Sequence, residues 1–188
     1  MILQNEKIFD YLYSLAATDD RHITIVHFNK KDLIITQERI VKNIYIIKEG
    51  IVKCFISEDS NKNLLLEFLG VGEIIGEVET ILNCKNIASI QSVTKSVLYK
   101  IDLDYFKNIL LKETAFKDLL IHELARRLQK TAIRSSSQQL NTIQSSLANL
   151  LCLLKNQDII FKKTDLADYL GISVRSLNRE LKILQDRE

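Results

Sequence analysis

The 188-residue chain contains no proline, an absence for which residue chemistry offers no account. Cysteine is scarce: Cys54, Cys84 and Cys152 stand far apart, with no CxxC pair and no histidine beside them. That scatter argues against a zinc or iron–sulfur site and reads as free thiols in a reducing compartment. His22, His27 and His122 are equally dispersed, so neither a metal nor a cofactor is expected. The N-terminus lacks a basic segment leading into an apolar core, and no apolar run approaches the ~20 residues of a membrane helix. A soluble, cytoplasmic chain without a membrane partner is expected. Nor is a histidine, nucleophile or metal cluster arranged with the acidic residues Glu73, Glu77 and Glu79, so no catalysis is expected.

What is present is ample apolar material, 46% of residues, for one large domain or two smaller ones. A formal charge of +2 neither requires nor excludes nucleic acid, because a basic patch can sit on an otherwise neutral protein.

The chain opens with helical spacing of Ile8, Leu12 and Leu15, which predicts a short amphipathic helix within residues 4–17. From Ile23 to about Ile101 the period changes to alternation. Runs such as NIYIIK, IVKCFI and LLLEFL, rich in β-branched and aromatic residues, are separated by turn signals at Glu49-Gly50, at SEDSNKN (57–63) and between Gly70 and Gly76. About eight short strands in an antiparallel sandwich or barrel are predicted. After Asp102 the helical period returns, with a short helix over 103–111 and a longer one over 113–134. On the long helix Ile121, Leu124, Leu128 and Thr131 form a heptad-like seam, while Phe116, Leu119 and Leu120 lie on an adjacent face. Two apolar faces fit two neighbours, its own β-domain and a partner subunit, with packing inside one chain as the alternative. The serine run SSSQQ at 135–139 predicts a hinge, since serine hydroxyls compete for backbone groups. Beyond it Leu140, Ile143, Leu147, Leu150, Leu151 and Leu154 mark a further helix facing a second small core.

TDLADYLGISVRSLNRELKIL, 164–184, has the layout of a helix-turn-helix. Thr164 can cap a first helix that buries Leu166, Ala167 and Leu170. Gly171 supplies the turn, and Ser173 can cap a second helix packed through Leu177, Leu181 and Leu184. On the outer side of that second helix Arg175, Arg179 and Lys182 share one face, with Ser176 and Asn178 beside them. Arginine can bridge guanine edges and asparagine can pair with adenine, whereas Lys and Ser suit phosphates. A solvated charged face is the plain alternative. Residues 139–188 carry seven Lys or Arg against six Asp or Glu, a difference of one, so any positive field is local to this helix.

The order of β-roll, long helix, hinge and helix-turn-helix, with GEIIGEVETIL, ELARRLQKTA and TDLADYLGISVRSLNRELKIL, resembles the Crp/Fnr family of bacterial transcription regulators over nearly the whole chain. VRSLNREL is similar to the YeiL-like branch of that family. The resemblance implies an α+β fold. An N-terminal antiparallel β-roll of the cyclic-nucleotide-binding, jelly-roll type would span 1–112, a dimerisation helix 113–134, a hinge 135–139 and a helix-turn-helix domain 140–188. It further implies a homodimer paired through Ile121, Leu124, Leu128 and Thr131, which binds double-stranded palindromic DNA and works with RNA polymerase. Ser173, Arg175, Ser176 and Arg179 would be the readers, supported by Asn178 and Lys182. Because Val174 and Arg175 stand where cyclic-AMP-binding relatives have Arg and Glu, the half-site sequence does not carry over. The family normally continues past the recognition helix into a β-wing, absent from this chain, and we expect the natural protein to extend beyond Glu188.

In cyclic-nucleotide-binding members, backbone amides of a short helix meet the phosphate, a Glu takes the ribose and an Arg neutralises the charge. Gly76 and Glu77 match the amide and ribose positions; Ile87 stands where the Arg belongs, and Ala88 where a hydroxyl residue belongs. An apolar side chain cannot offset a buried phosphate. Lys85, two residues away on the same strand face, is a candidate substitute, but a disfavoured one. Thr131 matches a purine-reading position, with simple seam packing as its alternative. The expectation is therefore a pocket that does not bind cyclic AMP or cyclic GMP. Three inputs stay open: a small apolar or acidic effector, regulation by abundance without a ligand, and redox chemistry at one cysteine. Haem at His122 and an N-terminal iron–sulfur cluster are disfavoured. The alternative functional class is a cyclic-nucleotide-type module acting on a partner protein, which would leave the helix-turn-helix idle.

Overall fold

The computed structural model describes residues 2–16, 21–58, 63–154 and 161–185. Most of the predicted turn at 57–63, the chain after Gln185 and the side chains of Leu12 and Leu15 lie outside the described residues. The β-rich runs pair into two sheets. One contains β1 (Ile2–Leu3), β3 (Leu33–Ile35), β5 (Val52–Ser57), β6 (Asn63–Leu69) and β8 (Ser89–Ser92), in the order β1-β6-β5-β8-β3. The other contains β2 (Ile23–Phe28), β4 (Asn43–Glu49), β7 (Ile74–Ile75) and β9 (Ser96–Asp102), in the order β2-β9-β4-β7. Pairing is antiparallel except between β1 and β6, where Ile2 lies beside Phe68 and Leu3 beside Leu69. A two-residue strand has no period, so β1 left no mark in the sequence.

The sheets face each other through Ile35, Ile47, Val52, Leu69, Ile90 and Leu98, all buried. The reverse face of the second sheet is buried too. Ile44, Ile46, Tyr99 and Ile101 pack there against Ile8, Phe106, Phe116 and Leu120 from the helices. Burial on both faces explains why NIYIIK and its neighbours are nearly continuous apolar runs rather than clean alternations. Helix α1 (Glu6–Ala16) is capped by Asn5, whose Oδ1 accepts from the Ile8 amide at 3.0 Å. Helices α2 (Glu77–Leu82), α3 (Leu103–Lys112) and α4 (Thr114–Leu140) follow. Phe106 on α3 meets Phe116 on α4 edge-to-face at 5.8 Å.

Three local expectations need correction. Residues 135–139 are not a hinge: α4 runs through the serines to Leu140, and the break comes at Asn141, whose amide donates to the Ser137 carbonyl oxygen. Serine is only a modest helix breaker, and tertiary anchoring outweighs it. Arg134 donates to the Leu66 carbonyl oxygen, approaches Glu67 at 3.8 Å and lies over the Tyr169 ring at 4.8 Å. Second, Lys162 rather than Thr164 precedes α6 (Lys163–Leu170), so Thr164 sits inside the first turn. Third, the C-terminal core is not separate. Leu147 and Leu150 of α5 (Ile143–Leu154), together with Phe161, Leu166, Ala167 and Leu177, share one buried cluster with Ile51, Leu65, Phe68 and Val93 of the β-roll. Phe68 and Phe161 rings lie 4.5 Å apart, and Lys53 Nζ reaches Asp165 Oδ1 at 2.6 Å across the same boundary. Among the described residues no helix is long and apolar enough to cross a membrane.

The glycines at 72 and 171 both adopt positive φ, +82° and +66°, but in different surroundings. A Cβ on Gly72 would stand 1.8 Å from the Asn5 carbonyl oxygen, whereas one on Gly171 would meet nothing within 4 Å. Urea denaturation should therefore rank Gly72→Ala well above Gly171→Ala, with the latter costing about 1 kcal/mol from backbone strain alone. Equal losses would mean that α1 does not seat on this turn.

Candidate functional site

One face of α4 changes character along its length. Phe116 and Leu120 are buried in the β-roll core, and a turn later the same face carries Glu123, Arg127, Lys130 and Arg134. Glu123 is 2% exposed and meets Glu73 and Glu77, at 0% and 2%, which come from the turn before β7 and from the first turn of α2. Arg127 joins all three: NH1 to Glu77 Oε1 at 2.6 Å, Nε to Glu73 Oε2 at 3.0 Å and Nε to Glu123 Oε1 at 3.1 Å. Its NH2 also donates to the Ile74 carbonyl oxygen at 3.0 Å. Arg126 bridges Glu73 at 2.8 Å and Glu123 Oε2 at 2.7 Å, and Asn5 Nδ2 donates to Glu123 Oε2 at 2.6 Å. Three carboxylates thus share two guanidiniums. Burial holds Glu73 and Glu77 above the ordinary carboxylate range despite the attraction of Arg127. The surrounding carboxylates in turn keep the half-buried Arg127 firmly protonated. Neither arginine was singled out in the sequence; the signal was an Arg pair three and four residues after a Glu, a spacing that puts all three on one face.

This cluster floors the pocket anticipated from the glycine-rich stretch. Gly76, at φ +93°, precedes α2. Gly76, Glu77, Ile87 and Ala88 are brought together around a cavity of about 120 Å³, with Cys54, Glu79, Asn86 and Arg127 also in its wall. Thr131 is exposed on α4 and does not reach this wall. Lys85 is no substitute cation: it pairs with Ile40 and lines a separate depression. Burial pushes the Cys54 thiol up to about 12, which keeps it protonated and unreactive.

On the opposite side of α4, Ile121 and Leu128 are 64% and 72% exposed, with exposed Ala125 and Ala132 completing a stripe. Leu124 departs from the predicted seam: half-buried, it packs against the β-roll core with Leu119. Thr131 borders the stripe.

Helix α7 (Val174–Gln185) presents the predicted basic face. Ser173 Oγ accepts from the Ser176 amide at 3.0 Å, the anticipated cap, and Gly171 makes the left-handed turn before it. Leu177 is fully buried, with Leu181 and Leu184 packed beside it. Arg175, Asn178, Arg179 and Lys182 are exposed and Ser176 is half-buried. Lys163 Nζ holds the Asn178 side-chain oxygen at 2.9 Å, and Arg179 forks onto the buried Glu180 at 3.0 and 2.8 Å. The helix can therefore offer two pre-oriented polar groups and two freer cations to a groove.

The β-roll with its helical cap, residues 25–113, matches the cyclic nucleotide-binding domain family. Over longer spans the chain is similar to regulatory protein YeiL of Escherichia coli O157:H7, at 21% identity over 81% of this chain and 70% of that protein. It is also similar to the cAMP-activated global transcriptional regulator CRP of Salmonella typhimurium, at 23% identity over 88% of this chain and 84% of that protein. Among solved structures, the c-di-GMP-responsive global regulator CLP of Xanthomonas campestris superposes with a TM-score of 0.81 over 95% of this chain and 92% of that one, at 17% identity. In sequence and in fold the chain is thus similar to transcription regulators of the Crp/Fnr family.

Replacing Arg127 with Met leaves three buried carboxylates facing one guanidinium and should cost about 3–5 kcal/mol in chemical denaturation. The pH dependence has a definite sign. Folded-state values of Glu73 and Glu77 lie above the ordinary 4.5, so their stabilising contribution is full below that value and is lost as pH rises through the folded values. Melting curves recorded upward from pH 4.5 should accordingly show a component that falls with rising pH and is reduced in Glu73→Gln; an unchanged profile in that variant would remove Glu73 from the titrating cluster.

Proposed function

We propose that this transcription regulator reads double-stranded DNA as a homodimer, through α7, and that its β-roll pocket does not take a cyclic nucleotide. The observation that carries the reading is α7 itself. A helix capped by Ser173 and anchored by Leu177 projects Arg175, Arg179 and Lys182 outward, at spacings that suit insertion into a major groove. Arg179 is the principal base reader, its guanidinium pre-aimed by Glu180; Arg175 and Ser176 join it, and Lys182 and Ser173 favour phosphates. The exposed Ile121–Leu128 stripe supports pairing of two α4 helices, which would set two copies of α7 on one face of the duplex. RNA polymerase is the expected partner once DNA is bound. No catalytic step is assigned, and the cytoplasm is the expected location.

Against a cyclic nucleotide stand volume and charge together. The cavity holds about 120 Å³, below the ~300 Å³ lower bound of ordinary small-molecule sites. Its wall includes Glu77 and Glu79, while its one cation, Arg127, is already shared among carboxylates. Ile87, 53% exposed, brings no charge to the mouth. A phosphate would have to pull Arg127 away from two or three acidic partners.

Selection from a random duplex pool should enrich a palindrome with half-sites about one helical turn apart. Arg179→Ala should weaken that complex by about 1–3 kcal/mol and relax one position. Leu128→Glu, at the exposed stripe, should shift sedimentation toward monomer and lose the palindrome preference. Enrichment of no palindrome, or equal binding by Arg179→Ala, would refute DNA reading by α7. Calorimetric titration with cyclic AMP should give no saturable heat; binding at micromolar concentration would overturn the pocket assignment.

A further inference from the structure

A second cavity, sharing no lining residue with the β-roll pocket, lies where α4, α5 and α6 meet β6. At about 490 Å³ it falls within the ~300–1,000 Å³ range of small-molecule sites. Its wall is mainly apolar, with Ile133 from α4, Leu150 from α5 and Leu170 and the Tyr169 ring from α6. Three charged groups enter it: Lys130, Arg134 and Glu67.

These three are not equivalent. Arg134 is engaged by Glu67, by the Leu66 carbonyl oxygen and by the face of Tyr169. Lys130 makes no hydrogen bond and no ion pair within 4 Å among the described residues. Arg126 repels its ammonium, while Glu67, Glu73 and Glu123 act on it from longer range. Counting Lys130 and Arg134 against Glu67, two positive charges against one negative leave one positive charge. A neutral apolar ligand would leave Lys130 uncompensated beside an apolar wall, and a dianion would be repelled by Glu67.

We propose that this cleft binds an amphipathic monoanion, of the medium-chain carboxylate class, its tail against Ile133, Leu150, Leu170 and Tyr169 and its carboxylate paired with Lys130. The ligand touches the long helix, the β-roll strand β6 and the helices that carry the DNA-reading unit. Its occupancy is therefore coupled to how those helices sit on the β-roll. The proposal stands independently of DNA binding and of the β-roll pocket.

Cys152 lines the same cleft and is exposed, while Cys84 is exposed elsewhere, so the two thiols report location. Decanoate should slow alkylation of Cys152 by iodoacetamide at least fivefold, followed by peptide mass spectrometry, and leave Cys84 unchanged. Decanol and acetate should protect much less, the first lacking the charge and the second the tail. Lys130→Gln, which breaks no contact, and Ser146→Phe, which fills the cleft, should each lose protection while melting like the parent chain. Any of three results overturns the proposal: no protection at Cys152, equal protection of Cys84, or decanoate protection that survives Lys130→Gln.

Discussion

The structure depends most on the buried cluster in which Arg126 and Arg127 of α4 are shared by Glu73, Glu77 and Glu123. Isolated charges at such depth would cost several kcal/mol each, so the arrangement persists only because every carboxylate has at least one guanidinium. One cross-link consequently sets several things together: the height of α4 over the β-roll, the seat of α2, and the seat of α1 through Asn5. The opposite face of α4 carries Ile121 and Leu128 in solvent.

The same cluster decides what the β-roll pocket can be. Glu77, expected from the family resemblance to face a ribose, is here answered from inside the protein by Arg127. The cavity that remains is small, walled by Ile74, Ile75, Ile90, Ala88 and Cys54. A larger cavity lies further along the helix, where Arg134 and Tyr169 tie the β-roll to α6. There the wall combines apolar side chains with Lys130, a cation lacking a close partner among the described residues, a pairing the upper pocket does not offer.

The second large contact is between domains. Phe68, Leu65, Ile51 and Val93 extend the β-roll core into the helical unit, and Lys53 meets the buried Asp165 across it. Shared burial of this kind explains why SSSQQ stays helical although its composition argues for a hinge: Arg134 just before it is fixed to β6, and Ser137 within it lines the cleft. Local propensity is worth only a few tenths of a kcal/mol per residue, and tertiary anchoring exceeds it.

Much of the architecture could be read from residue pattern. Runs of β-branched and aromatic residues between turn signals specified the strands of the roll, because a sheet buried on one or both faces admits few other sequences. Gly171, Ser173 and the Leu177–Leu181–Leu184 spacing specified the second helix of the helix-turn-helix and its inner face, since caps and apolar stripes are local devices. That Ile87 brings no charge to the β-roll pocket was equally visible. What the pattern could not show was long-range pairing of polar groups. Nothing near Arg127 in the sequence names Glu73 and Glu77 as its partners, nothing in Leu124 says that it turns inward, and β1 is too short to carry a period. Periodicity records which side of an element is apolar. Which buried charges meet, and which cavities survive between elements, depends on distances across the fold and is decided only when the elements pack.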